Sequence, residues 1–326
     1  MEPLEPTPEA ERTVAPEQVE AAVSVAGRIA ENVRRAVKVT DDVLEHVIVA
    51  LLAEGHILVE DYPGVGKTAL ARAVSRSIDC AFARVQCTAD LLPADIVGTN
   101  VYNQREQRFE FRPGPIFANI VIVDEINRAS PKTQSGLLEC MQERQVTVDA
   151  TSHELARPFV VFATQNPVEY EGTYPLPEAQ VDRFMVRVSL GYPNAEEEAG
   201  MLAGHEAHDR VLDLEAVADR AEVVEAVEAA HSVHASRALR DYIVALLRRT
   251  RDDTRVELGA SPRAGLMLLR AAKAHALLLG RDHALPDDVQ ALAEPVLAHR
   301  IMLVPEATGA TRESIVADAV ATTPAL

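Results

Sequence analysis

Between residues 56 and 166 the chain repeatedly falls into short, unbroken apolar runs: HILVED (56–61), FARVQ (82–86), NIVIVDE (119–125) and FVVFATQN (159–166). Strands covered on both faces read this way, because neither face has to be polar. Between the runs lie stretches with the apolar spacing of amphipathic helices, such as TALARAVSRSI after the first. Buried strands alternating with helices predict an α/β fold, a three-layer domain around a parallel sheet, over 21–193. One segment alternates instead. QVTVDATSHEL (145–155) predicts a small hairpin turning at Asp149-Ala150. Beyond Pro193 strand signals largely stop, and residues 194–326 are rich in Ala, Leu, Glu and Arg at helical spacing. They predict a smaller, all-helical second domain, in which Pro262 opens a helix ended by Gly280 and Pro286 opens another. Residues 1–20 carry six Glu, one Arg and four Pro. Such a segment buries too little to order itself, so a disordered tail is expected there.

Composition narrows the function. Apolar residues make up 48% of the chain, but aromatics only 4% and Trp is absent, so cores must be built from Ala, Val, Leu and Ile. The 50 acidic residues outnumber 32 basic ones, giving a net charge of −18. Anionic nucleic acid and membrane surfaces are repelled by such a chain on average. The longest apolar run near the start, 47–53, falls far short of a bilayer span. Neither nucleic-acid binding nor membrane insertion is expected. Cys80, Cys87 and Cys140 form no C-x-x-C pair, and no His cluster has zinc spacing. So sparse and odd a count suits a reducing compartment. No basic stretch followed by an apolar run opens the chain, so a signal peptide is not expected and the cytoplasm is the expected location.

The chemistry concentrates at the ends of the apolar runs. PGVGKT (63–68) joins the first run to the first amphipathic helix, the setting that a phosphate-binding loop needs. Backbone N–H groups of such a loop and of the helix N-terminus surround phosphate oxygens. Gly64 and Gly66 permit the backbone angles and the close approach. Lys67 is expected to reach the β- and γ-phosphates and Thr68 to ligate Mg2+. Pro63, Gly64, Val65, Gly66, Lys67, Thr68 and Ala69 are the expected nucleotide-binding residues. The usual G-x-x-x-x-G-K-T pattern has glycine where this chain has Asp61. IVIVDE places Asp124 and Glu125 at the C-terminal end of a buried strand, the edge at which open α/β sheets bind ligands. Unpaired buried carboxylates are costly, so this pair points to a ligand. Asp124 is expected to hold Mg2+ with Thr68, and Glu125 to polarise the attacking water. The order and separation of the two motifs fit a P-loop ATPase with ATP and Mg2+ as its cofactors. Asn166 ends a further run and either orients the water or caps the turn before Pro167. Arg183 in EAQVDRF and Arg263 in GASPRA either meet phosphate through their planar donor forks or form surface salt bridges.

With these residues in place, the chain resembles the MoxR family of AAA+ ATPases from about residue 45 to about residue 305. The resemblance is carried by LLAEGHILVEDYPGVGKTALARA, RVQCTADLLPADIVGT, GPIFANIVIVDEINRASPKTQSGLLECMQERQVTV, ATQNPVEYEGTYPLPEAQVDRF and GASPRAGLMLLRAA. It implies that Lys67 and Thr68 belong to Walker A, Asp124 and Glu125 to Walker B, and Asn166 to sensor 1. Arg183 looks like an arginine finger acting on a neighbouring protomer. Arg263 looks like sensor 2, a phosphate contact linking nucleotide to the helical domain. Residues 100–111 look like the insert in helix 2, and 145–155 like the hairpin before sensor 1. The resemblance further implies a homo-oligomer, a hexameric ring, that remodels or matures client proteins, with a partner carrying a von Willebrand factor A domain. No motif names the client. Val37-Lys38-Val39-Thr40 stands where the family usually has Val-Gly-Gln or Val-Gly-Arg, and Asp149-Ala150 where Asp-Gly is common.

Three functions compete on these residues. The first is a ring-forming ATPase that remodels proteins. The second is a nucleotide-dependent assembly switch with little turnover, against which Glu125 and Arg183 speak. The third is a DNA-dependent motor, against which speak the net charge of −18 and the absence of a GAFTGA loop and of an appended DNA-binding domain. Phosphate release separates the first two, and stimulation by DNA would favour the third.

Overall fold

The computed structural model describes residues 14–62, 64–166, 172–192 and 210–325. The apolar runs become strands of one sheet: β1 (Ile57–Glu60), β2 (Phe82–Gln86), β3 (Ile120–Asp124), β4 (Val160–Gln165) and β5 (Val186–Val188). Across the sheet the order is β5-β1-β4-β3-β2, with every pairing parallel. All C-terminal ends therefore share one edge. The unbroken runs resolve into two faces of period two. Ile57, Val59, Ile120, Ile122, Val160 and Phe162 pack into one apolar cluster, and Leu58, Val121, Val123, Val161 and Ala163 into another. The first cluster holds α1 (Pro16–Ala36), α2 (Asp41–Leu52) and α3 (Lys67–Ser77), and the second holds α4 (Pro131–Glu143). This is the three-layer α/β arrangement expected.

β2 corrects one expectation. It lies at the sheet edge, and only Val85 in it is buried, so FARVQ is not covered on both faces. Arg84 and Gln86 are exposed there. The 1–20 tail needs a second correction, since α1 begins at Pro16. Val19, Ala22, Val25, Ala26 and Ile29 recur at helical spacing and are buried, and the acidic composition of the first twenty residues concealed where that spacing starts. Residues 1–13 lie outside the described residues. α1 also ties the sheet domain to the segment around Glu215. Asn32 Nδ2 donates to Ser77 Oγ at 3.1 Å and to the Glu215 carbonyl at 3.0 Å.

The second domain packs α5 (Arg220–Ser232), α6 (Arg237–Asp252), α7 (Pro262–Leu278), α8 (Pro286–Leu297) and α9 (Arg312–Thr322). Pro262 and Pro286 open their helices as expected, and Ser261 caps α7 by accepting from the Ala264 N–H at 3.0 Å. The domain is not wholly helical. Val256–Leu258 and Met302–Leu303 form a short antiparallel ribbon. The expected boundary between residues 193 and 194 lies outside the described residues. Among those described, no helix is long and apolar enough to cross a membrane. The hairpin of Gln145–Val148 with Thr151–Glu154 turns at Asp149 and Ala150, whose φ angles are 47° and 66°. Both turn residues thus take the left-handed conformation that a tight hairpin demands, although alanine suits it less well than glycine.

Between α7 and α8 the fully buried Asp288 accepts from His275 Nδ1 at 2.6 Å, Arg281 Nη1 at 2.8 Å and the Leu285 N–H at 2.7 Å. Burial pushes its carboxyl up, but the bonds from His275, Arg281 and Leu285 outweigh this and hold it at about 2. The bond to Asp288 raises His275, whose Nε2 also lies 3.0 Å from Glu45 on α2. Asp288→Ala leaves the buried His275 and the half-buried Arg281 without their counter-charge and is expected to cost about 3 kcal/mol in urea unfolding. The depressed carboxyl contributes stability above its ordinary value of 3.8, lost as pH falls toward 2. The raised imidazole contributes below 6.5, lost as pH rises through its folded value. Unfolding measured against pH should therefore show this cluster's contribution greatest between 3.8 and 6.5, and Asp288→Ala should flatten it.

Candidate nucleotide site

β1 delivers the chain to a loop that curls into α3. Gly64 and Gly66 have φ of 86° and 96°, where an L side chain is strained. A Cβ on either would meet no atom within 4 Å, so the loop opens onto free space. No side chain caps α3 and no acidic residue stands in its first turn. Its N-terminus is thereby suited to an anion. Lys67 Nζ donates to the Asp61 carbonyl at 2.6 Å, which folds the side chain along the loop. Val65 and Ala69 are half-buried beside it, and Pro63 lies outside the described residues.

Asp61, in place of the usual glycine, turns its carboxylate away from the loop's interior. It is 3% exposed. Oδ2 accepts from Ser189 Oγ at 3.1 Å and from the Gly191 N–H at 2.8 Å, and Oδ1 from the Tyr62 N–H at 2.8 Å. The negative charge is thus held by the segment after β5.

Asp124 and Glu125 reach the same edge from β3. Thr68 Oγ1 lies 3.4 Å from Asp124 Oδ2, and Thr164 Oγ1 donates to Asp124 Oδ1 at 3.3 Å. Glu125 takes a left-handed conformation (φ 56°), which turns it out of the strand, and its N–H donates to Thr164 Oγ1 at 2.9 Å. Strained backbone of this kind persists where its surroundings enforce it. The Glu125 carboxylate meets Arg128 Nε at 2.9 Å and Gln86 Nε2 at 3.3 Å. Asn166, 8% exposed, follows β4 onto the same edge.

Three residues escaped the sequence reading. Arg84 Nε donates to Asp124 Oδ2 at 2.7 Å, Gln86 meets Glu125, and Thr164 bridges both acidic residues. The available signal was polar residues at alternate positions of FARVQ and one threonine in FVVFATQN. It becomes legible only once β2 and β4 are known to flank β3. The set fits Mg2+. A hydroxyl and a carboxylate are hard oxygen donors, and this ion is usually held by one or two carboxylates plus phosphates and water.

Arg183 and Arg263 sit elsewhere. Arg183 Nη1 donates to the Leu138 carbonyl on α4, while its Nε is buried without a hydrogen-bond partner. Arg263 Nη2 donates to Gln142 at 3.3 Å, and its Nε stands 3.9 Å from Asp182. Burial, and next the charge of Arg263, pull the Arg183 guanidinium below its ordinary value. The two line a cavity of about 180 Å³ with Glu54, Gly55 and His56, the residues that lead into β1. That is the opposite sheet edge from the loop, separated by the four residues of β1 at about 3.3 Å each. Arg263 thus stands beside Arg183, at the sheet edge away from the loop after β1.

A parallel five-stranded sheet with a P-loop after β1, acidic residues after β3 and a helical lid defines the AAA+ class of ATPases. The profile of the ATPase family associated with various cellular activities (AAA) matches residues 56–186, and that of the AAA lid domain matches 248–319. The uncharacterised protein YeaC of Bacillus subtilis is 48% identical over 89% of this chain and 91% of its own length. Chaperone MoxR1 of Mycobacterium tuberculosis is 39% identical over 85% of this chain and 75% of its own. The crystal structure of a candidate ATPase from Cytophaga hutchinsonii superposes with a TM-score of 0.87 at 36% identity, over 95% of this chain and 97% of that one. The chain belongs to the MoxR family of AAA+ ATPases.

Asp61→Gly would restore the usual loop pattern, yet it removes a buried acceptor from Ser189 and Gly191. A loss of about 1–3 kcal/mol in chemical denaturation is expected. Unchanged stability would show that the tie between loop and β5 carries no weight.

Proposed function

We propose that this protein is a Mg2+-dependent ATPase that hydrolyses ATP only as a ring of identical subunits, six by family resemblance. The observation that carries the reading is the division of the site between two sheet edges. Lys67 and the loop N–H groups hold the triphosphate. Thr68 and Asp124 hold Mg2+, which when bound neutralises charge on the β- and γ-phosphates. Glu125 orients and polarises the attacking water, with Asn166 beside it. Arg183 and Arg263 face away from this chain's own loop, so the phosphate that they can meet is a neighbour's. Two guanidiniums held together, one with an unpartnered Nε, suit an incoming anion. Chaperone-like remodelling of a client is the use of the cycle to which the name of Chaperone MoxR1 points; a von Willebrand factor A partner follows from the family resemblance alone, and a cytoplasmic location from the sparse cysteines.

Glu125→Gln should bind Mg-ATP yet hydrolyse it about 10²–10⁴ times more slowly, because the amide keeps the shape and loses the charge. Arg183→Ala should also be inactive alone, since an arginine that stabilises transition-state charge is worth about 10³–10⁵ in rate. Mixing the two variants pairs an intact loop and Glu125 with an intact Arg183 across some interfaces. Phosphate release from the mixture should exceed the sum of the separate variants. If subunits exchange and the rate stays at the sum, Arg183 serves no neighbouring site.

A further inference from the structure

The residues placed so far account for the triphosphate, and none of them meets a base. Sheet order fixes where the base must lie. The loop leaves β1, while Asp124 and Glu125 end β3, two strands to one side. A nucleotide whose γ-phosphate points toward those carboxylates has to lead its ribose and base the other way, toward β5. There the chain runs from Val188 through Ser189 and Gly191 to Tyr192.

Tyr192 is 70% exposed, and its ring stacks on Tyr62, with centroids 5.1 Å apart and planes at 20°. Tyr62 belongs to the loop itself and is 43% exposed. One face of Tyr192 is thus backed by an aromatic ring and the other is turned to solvent. The pair is fixed to the phosphate site through Asp61, which binds the Tyr62 N–H and the Gly191 N–H with the two oxygens of one buried carboxylate. Two large rings held in water at a ligand-binding edge mark a contact surface. Every base has a π-face, and stacking one on an aromatic side chain is favourable whatever the base.

We propose that Tyr192, backed by Tyr62, is the stacking platform for the nucleotide base. Asp61 then has a role that a glycine cannot fill: it sets the platform at a fixed place relative to the phosphate loop. The platform selects for an aromatic base and not for adenine over guanine.

This rests on the P-loop reading above, so the test uses one ligand with a base and one without. Binding of Mg-ATP and of Mg-tripolyphosphate is measured by calorimetry for the wild-type chain, Tyr192→Ala and Tyr192→Phe. Tyr192→Ala should lose about tenfold in affinity for ATP, the scale of one base–aromatic stack. Tyr192→Phe should stay within about twofold, because the stacking ring remains. Tripolyphosphate should bind all three proteins alike. Wild-type affinity for ATP in Tyr192→Ala overturns the platform and leaves the phosphate site standing. Parallel loss of ATP and tripolyphosphate overturns it too, and makes Tyr192 a support for the loop. A wild-type chain that binds neither ligand overturns the P-loop reading along with it.

Discussion

A strand buried on both faces can release a charged side chain only where it ends. β3 shows the constraint directly: Ile120 to Val123 have no exposure, and the next two residues are Asp124 and Glu125. A carboxylate two positions earlier would be desolvated with no partner in reach, at a cost of several kcal/mol. Because the sheet is parallel, all its strands end on the same side, so the loop after β1, the acids after β3 and Asn166 after β4 converge without any long connection. The same geometry empties the opposite edge of that chemistry. Arg183 precedes β5, and Arg263 is carried to the same edge by α7. Anything that needs both edges of one fold at one phosphate needs two copies of the chain.

The acidic edge is also satisfied as it stands. Asp124 accepts from Thr68, Thr164 and Arg84, and Glu125 meets Arg128 and Gln86. Arg84 holds Oδ2, the same oxygen that faces Thr68. About half of the Arg84 side chain is exposed to solvent. A buried carboxylate paired in this way is not left without a counter-charge.

How much of the fold and site was legible in the sequence depended on range. Lys67, Thr68, Asp124 and Glu125 announce themselves because each sits within a few residues of the strand or helix that positions it. Pro262 and Gly280 mark the ends of α7 for the same reason. The misses are long-range. Arg84 and Thr164 matter through strand neighbours 40 residues away. The orientation of Asp61 is decided by Ser189 and Gly191, more than 120 residues further on. The place of Arg263 follows from how the lid docks. The start of α1 was hidden differently: Val19 and Ala22 begin an amphipathic stripe inside a segment whose average is acidic and Pro-rich, and an average over twenty residues cannot register a stripe.

β5 is where these threads meet. It is only three residues long, yet it joins Asp182 and Arg183 at one edge to Ser189 and Tyr192 at the other. At its start, Asp182 accepts from Ser261 Oγ at 2.9 Å and pairs with Arg300 Nε at 3.1 Å, so the lid grips the residue next to Arg183. At its end, Asp61 ties Ser189 and Gly191 to the phosphate loop. Three parallel ladder positions with β1 hold the strand in register between them. The three-residue strand is thus held at its start by the lid and at its end by the loop after β1.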